Sequence, residues 1–218
     1  MKWPWQHNKE YPAYWEAYVS AFAKAEQKPI NEIRFVALDT ETTGLDTRKD
    51  RILSIGAIAL KGNSIHISDS LELYVSQDHY DPKSTPIHGI LKTGNTNKVS
   101  EIEAIQTLLA YIDTAIIIGH HVGFDVTMIN KMLRRHQLGK LKNKMVDTGV
   151  LYKKIQHAVN RNSLQEGYSL DQLSEALKIP LYDRHTASGD AMITAMAFIK
   201  IYSRIAKKGP VKLKELLL

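Results

Sequence analysis

The stretch that most constrains this chain is residues 35–45, reading Phe-Val-Ala-Leu-Asp-Thr-Glu-Thr-Thr-Gly-Leu. Phe35, Val36, Ala37 and Leu38 make a nearly continuous apolar run, as suits a strand covered on both faces. The run ends in Asp39 and Glu41, placed i and i+2, and on an extended chain those side chains project to the same side. Adjacent carboxylates repel each other, so a fold that keeps them at the end of a core strand is expected to supply a cation. With oxygen ligands the natural candidate is a divalent metal. Taken alone, the pair also fits a polar loop in which Thr42, Thr43 and Gly44 make the turn. Segments downstream decide between the two.

Residues 51–60 and 64–75 read as strands joined by the hairpin signal Lys61-Gly62-Asn63, and with the opening strand they form an antiparallel meander. Ile65, Ile67, Leu71, Leu73 and Val75 fall on spaced positions, as on a strand with one covered face. Residues 77–99 are loop-rich, with Pro82, Pro86, Gly89 and Gly94. A helix is predicted over about residues 100–113, with Ile102, Ile105, Leu108, Leu109 and Ile112 on one face. Residues 115–118 form a short buried strand, parallel to the first because a helix precedes it as a crossover. A helix to about residue 137, a short strand over residues 144–148, and helices over about 148–159, 169–178 and 188–207 complete the order.

Residues 1–32 read as an aromatic-rich extension holding all three tryptophans. Trp15, Tyr18, Val19 and Phe22 form an amphipathic helical stripe between Pro12 and Pro29, expected to pack on the rest of the chain. A homodimer contact or a partner's docking site is the sharper alternative. Trp3 and Trp5 are expected to anchor the terminus, with base stacking as the alternative. Residues 207–218 alternate basic and apolar side chains and are expected to be a solvated tail. Residues 33–206 then make one domain.

Lys and Arg outnumber Asp and Glu by 29 to 23, a formal charge of +6. Because the expected site is itself acidic, the remaining surface is more basic still, which fits a polyanionic partner. The absence of cysteine excludes disulfides, thiolate catalysis and cysteine zinc sites. It also fits a reducing cytoplasm. The first residues lack the apolar core of a signal peptide, and no run approaches the roughly 20 apolar residues of a spanning helix. A cytoplasmic location with no membrane partner is expected.

Asp125, in Gly119-His120-His121-Val122-Gly123-Phe124-Asp125, falls where the second buried strand hands over to a helix. That is the carboxyl end of the sheet, where open α/β sheets bind ligands, although an acid there also suits a helix N-terminus. His185 and Asp190 stand five apart in His-Thr-Ala-Ser-Gly-Asp, at the entry to the final helix. The whole set is two acids on a strand end, one after a second strand, and one on a helix beside a histidine. It resembles the DEDDh 3'-5' exonucleases of the DnaQ-like family, which include the proofreading epsilon subunit of bacterial DNA polymerase III and RNase T. The matching motifs are Asp-Thr-Glu-Thr-Thr-Gly, His-x-x-x-Phe-Asp and His-x-Ala-x-x-Asp, and the resemblance covers about residues 33–205.

The resemblance implies an α/β fold with a ribonuclease H-like mixed sheet of about five strands, three antiparallel and then parallel, flanked by helices. Four carboxylates suit two divalent cations, Mg²⁺ or Mn²⁺, about 4 Å apart, clamping the attacking and leaving oxygens of an in-line phosphoryl displacement. In this reading Asp39 bridges both ions, Glu41 and Asp190 hold the nucleophile side, and Asp125 serves the other. His185 takes the proton from the attacking water. The resemblance further implies that Thr40, Thr42, Leu45 and His88 line the pocket for the terminal nucleotide, with Leu45 against the last base.

In relatives the second motif often reads His-Asn, and His121 here stands at the asparagine position, offering different hydrogen bonds. A zinc site at His120 and His121 is not expected, since adjacent side chains on an extended segment diverge. The expected activity is 3'-5' removal of nucleotides from single-stranded or frayed DNA ends, in proofreading or repair, with a polymerase subunit as a further partner. RNA trimming, or a non-catalytic module that binds nucleic acid beside a polymerase, are the alternatives.

Overall fold

The computed structural model describes residues 10–25, 28–77, 97–159 and 167–218; Trp3, Trp5 and His88 lie outside them. At its centre is a mixed sheet of β1 (Arg34–Thr42), β2 (Ile52–Lys61), β3 (Ser64–Val75), β4 (Lys98–Val99), β5 (Ile116–Gly119) and β6 (Met145–Asp147) in the order β4-β3-β2-β1-β5-β6. The first three strands pair antiparallel, and β5 and β6 add in parallel on the far side of β1. This is the expected ribonuclease H-like arrangement. It gains one edge strand, β4, whose two residues pair with Tyr74 and Val75 and are too few to leave a periodic signal.

Side chains of β1 alternate between two cores. Val36 and Leu38 enter the first, with α1 (Ala13–Lys24), α2 (Glu101–Ile112) and α3 (Gly123–Arg135). Phe35 and Ala37 enter the second, with α4 (Thr148–Val159), α5 (Leu170–Leu177), α6 (Ala187–Ala206) and α7 (Leu213–Leu216). Both faces of β1 are therefore dry, which is why its sequence lacks polar alternation until Asp39. No helix among the described residues is long and apolar enough to cross a membrane.

The aromatic stripe of α1 is used inside this chain. Trp15 and Tyr18 are buried in the first core, and the Tyr18 hydroxyl donates to Asn143 Oδ1 at 2.5 Å while accepting from the Lys142 N–H at 2.8 Å. The C-terminal segment departs from the solvated tail expected of it. Leu216 is buried in the second core with Val211, Leu213 and Leu217 packed against it, and the Leu218 N–H donates to the Met145 carbonyl at 3.1 Å, while the lysines face water.

The single covered face expected of β3 is also corrected. Between His66, opposite Ala59, and Ser70, opposite Ile58, three residues have no partner on β2. This odd insertion reverses which side each later residue faces. Ile65 packs on the second core, Leu71 and Leu73 on the first, and Ile67 is 72% exposed. Arg34 holds the bulge, donating to both oxygens of Asp69 at 3.0 Å and to the Tyr111 carbonyl at 2.8 Å.

One close approach sets the depth of α6. Gly56 of β2 is paired with Asp39, and a Cβ on it would lie 2.2 Å from the carbonyl of Ala187, the first residue of α6. Only glycine lets the start of this helix rest on the sheet. Gly56→Ala is expected to cost about 2 kcal/mol or more and to lower Tm by about 4–8 °C in scanning calorimetry. Gly123→Ala, which adds a methyl to open space at the start of α3, should hold or raise Tm.

Candidate active site

The four acids arrive at the carboxyl end of β1 from both faces of the sheet. Asp39 and Glu41 continue the row of Phe35 and Ala37 and so face α6, whose first turn carries Asp190. Carboxylate oxygens of Asp39, Glu41 and Asp190 lie within 4.8 Å of one another. Thr40, between them, points the opposite way. Its backbone N–H and its hydroxyl donate to Oδ1 of Asp125, in the first turn of α3, at 3.0 and 2.7 Å. The side chain of Thr40 thus positions an acid.

Burial and mutual repulsion raise the proton affinity of the whole set. Asp39 is pushed well above the usual carboxylate range, first by burial and then by Asp125, Asp190 and Glu41. Burial and Asp190 raise Glu41 to about 7. Burial raises Asp125 to about 7 despite the two donors from Thr40. Asp190 is raised by burial, with Arg184 opposing the shift. The Arg184 guanidinium donates through Nη1 to Asp190 Oδ2 and through Nε to Asp171 Oδ1, the latter at 2.6 Å. Oδ1 of Asp190 is buried and has no hydrogen-bond partner.

That orphaned oxygen, in an all-carboxylate group of this spacing, fits a hard divalent cation. Among the described residues no other group of three or more acids, histidines or cysteines has such spacing.

The start of α6 is built for close packing. Thr186 caps it, accepting from the Gly189 N–H at 3.1 Å and donating to the Asp183 carbonyl at 2.7 Å. His185, one residue earlier, is exposed and has φ +63°. Thr42 is buried, its hydroxyl closing on the Gly44 carbonyl at 2.8 Å. Leu45 stands 82% exposed on the loop between β1 and β2. That loop is stiffened by buried Asp50, which accepts from the Thr43 hydroxyl at 2.9 Å and the Asp46 N–H at 2.7 Å.

The two histidines of the second motif differ from expectation. His121 has φ +58°, so the segment is not extended, and the His120 and His121 rings pack edge to face with centroids 4.5 Å apart. Burial, followed by His121, lowers the pKa of His120 to about 4, leaving it neutral, and its Nδ1 lies 3.1 Å from the Thr148 hydroxyl. A left-handed backbone is also where asparagine is favoured, and histidine is enriched there too. Histidine at position 121 therefore suits the left-handed backbone found there.

Two positioning residues escaped the sequence reading. Asp147, at the end of β6, accepts from the Val122 N–H at 2.9 Å and the Val150 N–H at 3.0 Å, tying the start of α3 to the start of α4. An acid at a strand-to-helix handover was its only signal. Arg184 was marked only by standing next to His185.

Comparison with known proteins bears on the family and the fold. A family model described as exonuclease matches residues 36–198. The PolC-type DNA polymerase III of Thermotoga maritima is 29% identical over 192 residues, covering 88% of this chain and 14% of the relative. The DNA polymerase III epsilon subunit of Treponema pallidum is 27% identical over 177 residues, covering 81% of this chain and 80% of that subunit. The chain thus spans about a seventh of the PolC relative and about four fifths of the epsilon subunit. Exonuclease I of E. coli, in complex with a dT13 oligonucleotide, shares the fold with a TM-score of 0.67 and 19% identity, over 81% of this chain and 42% of that one. The chain belongs to the exonuclease family.

Proposed function

We propose that this chain is a metal-dependent 3'-5' exonuclease that removes nucleoside 5'-monophosphates from the 3' end of DNA. The observation that carries the reading is the meeting of Asp39, Glu41 and Asp190 at one point, with an oxygen of Asp190 buried and unpartnered. Asp39, Glu41 and Asp190 would hold one Mg²⁺ or Mn²⁺, and Asp125 with Asp39 a second. Bound ions of this kind neutralise carboxylates and phosphodiester together and activate the attacking oxygen. The names of the DNA polymerase relatives support DNA as the substrate.

The chain's own groups do the rest. His185, exposed at the mouth of the site, accepts the proton of the water that forms the new P–O bond. The bond to the 3'-oxygen breaks, and that oxygen takes a proton from solvent. Leu45 offers an apolar surface to the terminal base, and the basic remainder of the surface attracts the phosphate backbone. A proofreading role beside a polymerase would follow the names of the relatives.

The reading is tested with 5'-labelled DNA and RNA oligonucleotides, incubated with Mg²⁺, Mn²⁺ or EDTA. A metal-dependent ladder shortened from the 3' end of DNA is expected. Asp39→Asn should lower the rate at least about 100-fold. The same substitution should raise Tm in EDTA near neutral pH, because it removes an acid that the unfolded chain ionises freely and the buried, repelling cluster does not. No ladder from a folded protein on any substrate would sink the proposal.

The acids also set a pH dependence. Glu41 and Asp125 titrate near 7 in the fold, against roughly 4 in an unfolded chain. The folded state thus binds their protons more tightly, and the stability they contribute is full below about pH 4 and lost as pH rises through about 7. In EDTA, Tm is expected to fall between pH 5.5 and 8.5, and saturating Mn²⁺ should shrink that fall. A metal-free Tm that is flat or rises over this range would contradict the cluster described above.

A further inference from the structure

We infer that Arg184 is a positioning residue, clamped between Asp171 and Asp190, that holds Asp190 with one oxygen open for the cation and fixes the turn presenting His185. The inference rests on the metal-dependent reading above. Its basis is the division of labour on one carboxylate: Arg184 Nη1 donates to Oδ2 of Asp190, while Oδ1 is buried without a partner. A guanidinium competing for the cation's place would engage both oxygens, since its fork matches a carboxylate in bidentate fashion. Here the fork is split, with Nε given to Asp171 at 2.6 Å. The acid on α5 offsets much of the arginine's charge, so the clamp adds little repulsion toward an incoming cation.

The second half of the role concerns the backbone. Residues 178–186 join α5 to α6 without regular structure, and Lys178, Asp183 and His185 all have positive φ, at 52°, 52° and 63°. Left-handed backbone disfavours residues with a Cβ, so the turn holds its shape only where neighbours over-determine it. Arg184 lies between two of these positions and is bonded to helices on both sides. Thr186 adds its own bonds to the Asp183 carbonyl. Releasing the arginine frees both Asp190 and the histidine that follows it. Lysine cannot replace it, because one ammonium at the tip of a flexible stem does not reproduce the spread of Nε and Nη1.

The test is Mn²⁺ binding to the metal-free protein without substrate, followed by electron paramagnetic resonance, beside steady-state kinetics on a DNA oligonucleotide. Arg184→Gln is expected to weaken Mn²⁺ about 10-fold and to lower kcat by about 10- to 100-fold at saturating metal, with KM within about twofold. Arg184→Lys should give no rescue. Asp171→Ala, which truncates a largely exposed side chain and spares the acids of the site, should shift Mn²⁺ affinity in the same direction by about threefold, and it covers the case in which Arg184→Gln fails to fold. Unchanged or tighter Mn²⁺ binding in these variants would overturn the clamp. A wild-type protein that binds no Mn²⁺ would overturn the metal-dependent reading beneath it.

Discussion

Carboxylate repulsion is the constraint that the rest of this structure answers to. Two unit charges about 4 Å apart cost roughly 4 kcal/mol at the effective dielectric near a protein surface. Three acids whose oxygens lie within 4.8 Å, with a fourth beside them, cannot all ionise without compensation. The fold answers in three ways. It lets Glu41 and Asp125 keep protons until about pH 7, it brings Arg184 against Asp190, and it gives Asp125 two donors from Thr40. None of these removes the repulsion entirely. What remains is a standing preference for a cation.

Alternation along one strand makes the site possible. Odd-numbered side chains of β1 face α6 and even-numbered ones face α3, so Asp39 and Glu41 meet Asp190 on one side while Thr40 seizes Asp125 on the other. Two separate cores thereby fix one set of acids. The depth of α6 depends on Gly56, opposite Asp39, and the tightness of its first turn on Gly189, where a Cβ would lie 2.1 Å from the Asp183 carbonyl. The Ser188 hydroxyl donates to Glu72 at 2.5 Å, anchoring the same turn to β3. Small residues set the distances, and larger ones fill the space behind them.

The parts of this design that are local were legible in the sequence. A dry apolar run ending in Asp-x-Glu, an acid at a strand-to-helix handover and a histidine five before an acid all follow from periodicity within a few residues. The antiparallel meander and the parallel position of β5 followed from hairpin and crossover rules. What depends on distant partners was not legible. Arg184 has meaning only through Asp171, thirteen residues away, and Thr40 through Asp125, eighty-five away. The three-residue bulge in β3 kept the spacing of its apolar residues while reversing their faces, so alternation alone misplaced Ile67. Leu216 docks among side chains of the second core that come from distant elements, and no window of sequence around it carries that information.

The unlike treatment of the acids and the histidine matches the roles the proposed function gives them. A cation needs ligands whose positions do not drift, and the acids sit in a strand and in the first turns of two long helices, close-packed and partly or wholly buried. In the proposed mechanism the proton acceptor exchanges its proton with solvent after each cycle, and His185, to which the proposal gives that role, is exposed on a turn. The left-handed backbone of the site is placed on that turn, at Asp183 and His185, while α6 around Asp190 is regular and β1 stays in register with β2 from Arg34 through Glu41, slipping only between Glu41 and Thr42. Strain in the ligand-bearing elements would blur the carboxylate spacing on which a cation depends. On the histidine's turn it costs only local stability, which the bonds of Thr186 and Arg184 to neighbouring groups offset.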